Sequence, residues 1–267
     1  MALSRAHLQL AVEAADRASG PLRRVIDAHF SHFCVGAVAP DARERTSTGR
    51  AATHYFEFRE PSTWGRATAE LFAARPALAR PDAVSDAQAA YVAGYLAHLA
   101  VDEVFVLVCG EHARRADRAA TVGLTYALER GWDDPSGALA RAATAVHPID
   151  PGGVDLIVAA EPLSKLTRWA HSLALATSPA EIVGVFARAD GRPDDSAEAD
   201  RIAAERVATG RELFGDDVAE RFAALAAEEI DRRLTAYERG DGARYDSPSL
   251  RAGFETAPPA ASGEARA

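Results

Sequence analysis

The sequence predicts an all-α fold, and three observations carry that expectation. Apolar residues recur three and four positions apart rather than in alternation along almost the whole chain. Ala, Leu, Glu and Arg dominate over the β-branched and aromatic residues that sheets favour. Gly20-Pro21, Gly131, Pro148 to Pro151, Pro179 and Gly215 punctuate the periodic stretches at helix-like intervals. With 267 residues, 48% of them hydrophobic and 26% charged, the chain can bury a substantial core and is no disordered or collagen-like polymer.

Ser4 is placed to cap a first helix reaching about Ser19, and a second helix runs from about Leu22 to Phe33. From Cys34 to about Pro61 the helical pattern lapses. Gly36, Pro40, Gly49 and the run Arg43-Glu-Arg-Thr-Ser-Thr-Gly-Arg50 read as a long irregular connection, a length that marks function or disorder in a compact domain. Helices resume over Ser62–Arg75 and again from Ser85, where Ser85 and Gln88 have the spacing of a capping box. That helix reaches about Cys109, with Gly110 as a place to end or bend. Further helices are predicted near Glu111–Arg130, Ser136–Val146, Val154–Ala176, Pro179–Ala189, Ser196–Phe214 and Asp217–Arg239. Residues 1–240 read as a single helical domain because nothing in them resembles a long linker, and residues 241–267, rich in Gly, Pro, Ser and Ala, as a mobile tail.

The formal charge of −9 argues against a nucleic-acid coat or an anionic membrane surface as the main partner. A small ligand is the expectation instead. Cys34 and Cys109 cannot make a disulfide framework and match no CxxC pattern, which suits a reducing compartment. Glu13, Asp16 and Arg17 interrupt the opening apolar stretch, so no signal peptide is expected, and uninterrupted apolar runs such as Val104–Cys109 are far shorter than a transmembrane segment needs. Together these features predict a cytoplasmic protein.

Chemistry is concentrated in a few residues. His98 and Asp102 stand four apart in Gln88-Ala-Ala-Tyr-Val-Ala-Gly-Tyr-Leu-Ala-His-Leu-Ala-Val-Asp102, so their side chains stack one turn apart on the face that also carries Tyr91, Gly94 and Tyr95. A carboxylate on an apolar stripe must be paired, hydrogen-bonded or metal-bound. A metal site and a structural His–Asp couple both satisfy that demand. His7 shares a small-residue face with Ala11, Ala14, Ala15 and Ala18, while Asp41 and His54 flank the irregular connection. Arg43, Arg45 and Arg50 could approach a phosphate, although a solvated loop is the better account of them. His29 reads as core, His147 as a helix-end residue and His171 as packed core, and neither of the last two has a ligand-spaced partner.

The order of a helix-borne His7, the turn Gly36-Ala-Val-Ala-Pro-Asp41, the triplet Thr53-His-Tyr55 and the stretch Gly94-Tyr-Leu-Ala-His-Leu-Ala-Val-Asp102 resembles the zinc-dependent phospholipase C family over about residues 1–105. The resemblance implies a multi-helix phospholipase C/P1 nuclease-like bundle in which zinc ions hydrolyse phosphodiester bonds. It implies that Asp41, His54, His98 and Asp102 hold one zinc, that Asp102 bridges towards a second, and that His7 is a ligand of that second ion. It also implies a catalytic role for Asp41, whose counterpart is discussed as a general base. The family's N-terminal Trp ligand has no counterpart, and its next His, six residues after the bridging Asp, is replaced by Val108. One complete and one partial site for zinc or another divalent transition metal are therefore expected.

The resulting expectation is a metal-dependent hydrolase of a small phosphoester or phospholipid. Two alternatives stand beside it. One is a repurposed single-metal family member with non-hydrolytic or biosynthetic chemistry, and the other is a non-catalytic helical binding protein.

Overall fold

A computed structural model describes residues 4–45, 49–58, 60–115, 117–128, 137–149, 153–189, 191, 195–247 and 250–251. Among them there is no strand, as the periodicity predicts. The helices are α1 (Ser4–Arg17), α2 (Gly20–Ala28), α3 (Phe30–Gly36), α4 (Ala51–His54), α5 (Ala67–Ala74), α6 (Asp86–Cys109) and α7 (Glu111–Arg114). They continue with α8 (Arg118–Ala127), α9 (Ala138–Ala145), α10 (Ala160–Ala174), α11 (Pro179–Ala189), α12 (Ser196–Phe214) and α13 (Val218–Glu238).

The central element is α6. Its N-terminus is capped by Ser85, whose side chain accepts from the Gln88 amide at 3.2 Å. The reciprocal half of the capping box is not made: the Gln88 side chain turns away to exchange two hydrogen bonds with the backbone of Asp155, at 2.6 and 3.0 Å. Gly110, at φ 54° and ψ −127°, takes a positive-φ conformation open to glycine and ends the helix. By length and composition α6 could cross a membrane, a property that the count of uninterrupted apolar runs misses. Its burial explains its apolarity, because 89% of its most apolar window is enclosed by the rest of the protein.

Two close crossings set the packing. A Cβ added at Gly94 on α6 would collide with the Phe33 carbonyl oxygen of α3, and one at Gly36 would collide with the Tyr91 carbonyl oxygen of α6. Only glycine at both positions lets the two backbones touch. Gly123 of α8 and Gly210 of α12 make the same kind of contact farther along. The main apolar cluster surrounds α6 with Leu8, Phe33, Phe105, Phe222 and Ile230. A smaller one, with Leu173, Ile182, Val183 and Ala199, joins α10, α11 and α12, and Trp169 touches both.

The structure corrects several boundaries. The helix expected over Leu22–Phe33 is broken at His29, where φ −125° and ψ 40° leave the helical region and re-aim α3 onto α6. His29 itself is half-buried at that joint rather than part of the core. The irregular connection holds a 3-10 turn over Ala39–Arg45 and the single-turn α4. The helix expected over Glu111–Arg130 is two, with Asp117 capping α8 by accepting from the Ala120 amide at 3.0 Å. Ser136 lies outside the described residues, as do residues 252–267 of the expected tail. Earlier in that tail the chain is packed: Gly242–Arg244 form a 3-10 turn, and Gly242, Ser247 and Leu250 are buried.

A buried ionic cluster holds this segment in place. Arg233 on α13 donates to Glu103 on α6 and, at 2.8–2.9 Å, to Glu229 one turn away. Glu103 also accepts from the Gly65 amide at 2.6 Å. Glu229 accepts from Tyr245 at 3.0 Å and from Ser247 at 2.9 Å. The carboxylate next to Asp102 in sequence thus faces a different side of α6, about 100° around the helix, and fastens α5, α13 and the chain after residue 240 around it.

Candidate metal centre

Four segments meet on the face of α6 that carries His98 and Asp102. The α3–α6 crossing brings the chain after Gly36 against α6, so that the Ala37 carbonyl accepts from His98 Nδ1 at 2.9 Å. The 3-10 turn that follows carries Asp41 inward. The side chain of Tyr95 donates to the Thr53 carbonyl and fixes α4, whose last residue is His54. Thr53 Oγ1 lies 2.9 Å from His54 Nδ1. These two contacts occupy the Nδ1 atoms of His54 and His98 and leave both Nε2 atoms facing the centre, the arrangement by which outer hydrogen bonds orient metal-binding imidazoles.

The inward-facing atoms lie at ligand-to-ligand spacing. His54 Nε2 is 3.4 Å from Asp41 Oδ1, 3.2 Å from Asp102 Oδ2 and 3.4 Å from His98 Nε2. His98 Nε2 is 3.9 Å from Asp41 Oδ1 and 3.7 Å from Asp102 Oδ2. A tetrahedron with bonds of about 2.1 Å has edges of about 3.4 Å, so these separations suit one small divalent ion. His7 adds a further donor. Its ring stacks on that of His98, with centroids 3.8 Å apart and planes 7° from parallel, and its Nε2 lies 3.4 Å from Asp102 Oδ1. Two overlapping groups, His7–Asp41–His98 and His54–His98–Asp102, could each hold a metal ion.

Burial sharpens the case for a cation. All five residues are at most 5% exposed. Among the described residues, both ring nitrogens of His7, together with Asp41 Oδ1 and Asp102 Oδ1, have no hydrogen-bond partner. Buried polar atoms are seldom left so, and several converging on one point fit a coordinated ion. Burial and the neighbouring His7 push the His98 imidazole down to about 3, despite the opposing carboxylates, so it is a neutral donor at pH 7. Burial raises the Asp41 carboxyl, but His98 and His54 outweigh it and hold it below the usual range. For Asp102, burial is likewise outweighed, mainly by Arg50, and the carboxyl stays ionised.

Arg50 is the participant that sequence reasoning placed with the solvated loop. Its Nη2 lies 2.5 Å from Asp102 Oδ2, and its guanidinium sits over the Phe56 ring, 4.6 Å from the centroid. The signal was thin, namely an arginine one residue before α4 and an aromatic six positions on. The side chains of Arg43 and Arg45 lie outside the described residues. His112 is also excluded from the centre, since its Nδ1 lies 3.1 Å from Asp117 Oδ2 and its ring meets Phe214 edge-on. His171 Nδ1 lies 2.8 Å from the Ala143 carbonyl, and His147 is exposed.

A surface cleft of about 900 Å³ lies beside α4, lined by Ala51, Ala52, Tyr55, Phe56, Arg66 and Glu70 among others, and by none of the five donors. Phe56, with its ring edge-on to His54, stands between the cleft and the centre. Tyr55, at φ 60°, is a non-glycine residue in the left-handed region immediately after His54, a conformation that packing must enforce. Comparison of the chain with protein-family models, curated proteins and solved structures finds no match in any of the three.

Proposed function

We propose that the protein is a metal-dependent hydrolase of phosphoester substrates, similar to the zinc-dependent phospholipase C family but with a reduced metal centre. The observation that carries this reading is the convergence of His7, Asp41, His54, His98 and Asp102, from four separate segments, with unpartnered donor atoms at ligand spacing. His54 and His98 act as neutral nitrogen ligands, and Asp41 and Asp102 supply the charge that selects a divalent cation. Zinc is the ion proposed, and it would supply Lewis acidity and a lowered pKa for water. Asp41, at 5% the most exposed of the five, would serve either as a ligand of the ion or as a general base, since one carboxylate cannot be both at once. The cleft beside Phe56 offers space for a small phosphoester. With one complete ligand set, attacking and leaving oxygens are clamped less fully than by several ions.

Burial of all five donors favours a second reading, in which the ion serves non-hydrolytic chemistry or stability alone, because catalytic sites keep a coordination position open. Elemental analysis and a phosphodiester panel separate the two. Under the hydrolase reading, purified protein holds close to one zinc per chain and cleaves a phosphodiester, and Asp102→Asn abolishes both. Bound metal with an untouched panel supports the second reading. A protein that binds no metal, and whose melting temperature zinc does not raise, is neither.

A further inference from the structure

Asp102 Oδ2 serves two masters. It is the oxygen that faces His54 Nε2 at 3.2 Å and His98 Nε2 at 3.7 Å, and it is also the oxygen that Arg50 Nη2 approaches at 2.5 Å. Asp41 and Asp102 contribute two negative charges to the buried centre, and the guanidinium of Arg50 one positive charge within it. Arg50 is itself nearly buried, so water screens these charges little. A divalent ion bonded to Oδ2 would stand within a few ångströms of that fixed positive charge, and the two would repel.

We infer that Arg50 is a built-in cation that competes with the divalent ion for Asp102 and sets the affinity of the centre. The inference rests on the metal-site reading above but assigns a new role to a residue outside the ligand set. Phe56 supplies the other half of the device. Its ring carries the guanidinium and lines the cleft, so Arg50 can withdraw from Asp102 along an aromatic surface instead of into an apolar void. Lysine, with a compact, strongly hydrated ammonium, would retain the charge but lose the planar contact with the ring.

The test is a metal titration of the full chain, read with a chromophoric zinc chelator in competition, together with melting curves in EDTA. Arg50→Gln and Arg50→Met are compared with wild type and with Arg50→Lys. Removal of the positive charge should tighten zinc binding by roughly tenfold or more, while Arg50→Lys stays closer to wild type. In EDTA the two neutral variants should melt lower than wild type, since Asp102 then loses its charge partner, and zinc should raise their melting temperature by more than it raises that of wild type. Variants that fold only when zinc is added also support the inference. Unchanged or weakened zinc binding overturns it while leaving the metal site standing, as do variants that stay unfolded with zinc, for Arg50 would then act with the ion. If neither wild type nor any variant binds zinc, both this inference and the metal-site reading fall.

Discussion

At the scale of single residues, the protein separates side chains that are poised for chemistry from side chains that are merely enclosed. Cys34 and Cys109 belong to the second kind. Burial raises the Cys34 thiol far above its ordinary range and pushes Cys109 up to about 11, so neither forms thiolate at neutral pH. Both should therefore resist Ellman's reagent at pH 8 in the native protein and react together on unfolding in urea; rapid labelling of either in the native state would contradict the packing described. The sign for stability follows from the same shift. In the unfolded chain the thiols ionise near pH 8.5, so alkaline conditions favour unfolding above that pH and not below it. His98 and Asp102 were legible as a pair because four-residue spacing on a helix needs no tertiary information. Arg50 was not, because only the fold decides whether a loop guanidinium meets water or a carboxylate.

At the scale of elements, the α3–α6 crossing makes the centre possible. Gly36 and Gly94 allow backbone contact, which in turn delivers the Ala37 carbonyl to His98 and Asp41 to the donor cluster. Gly94→Ala should cost about 3 kcal/mol or more, since its methyl group meets backbone that cannot rotate away, and it should abolish zinc binding as well. Gly210→Ala at the α8–α12 crossing should destabilise by a similar mechanism and leave zinc affinity intact. Urea denaturation and zinc titration of both variants check the pair, and equal loss of metal binding in the two would show that the first crossing has no special relation to the centre. The boundaries that sequence periodicity misplaced, at His29 and between α7 and α8, are those where a local pattern favours continuing a helix but packing needs the chain to turn. The half-made capping box at Ser85 has a similar cause, because Gln88 meets the Asp155 backbone once the chain is folded.

At the scale of the whole molecule, α6 organises two faces, with the donors that could hold a metal ion on one and the Glu103–Arg233–Glu229 cluster on the other. The cluster makes the chain beyond residue 240 part of the folded body through Tyr245 and Ser247. Arg233→Ala should lower stability by about 3–5 kcal/mol, because it removes the buried cation shared by Glu103 and Glu229. A chain ending at residue 240 should also melt lower than the full chain, since Glu229 loses two hydrogen-bond donors and Leu250 no longer covers the core. Differential scanning calorimetry of the two proteins is the check, and a truncated chain that melts with the full-length protein would show that the segment contributes nothing.

The helical class, the central helix with its cap and stop, and the residue types that meet at the centre were legible in the chain before any folding was known. Helical periodicity, capping chemistry and i,i+4 spacing are local properties, readable without knowing which segments become neighbours. The folded arrangement alone brings His7, Asp41 and His54 to the His98–Asp102 pair, adds Arg50 to them, and sets an ionic cluster on a second face of α6. Those outcomes depend on how closely two backbones approach and on which charges are left to satisfy one another away from water, and neither is encoded in any single stretch of the chain.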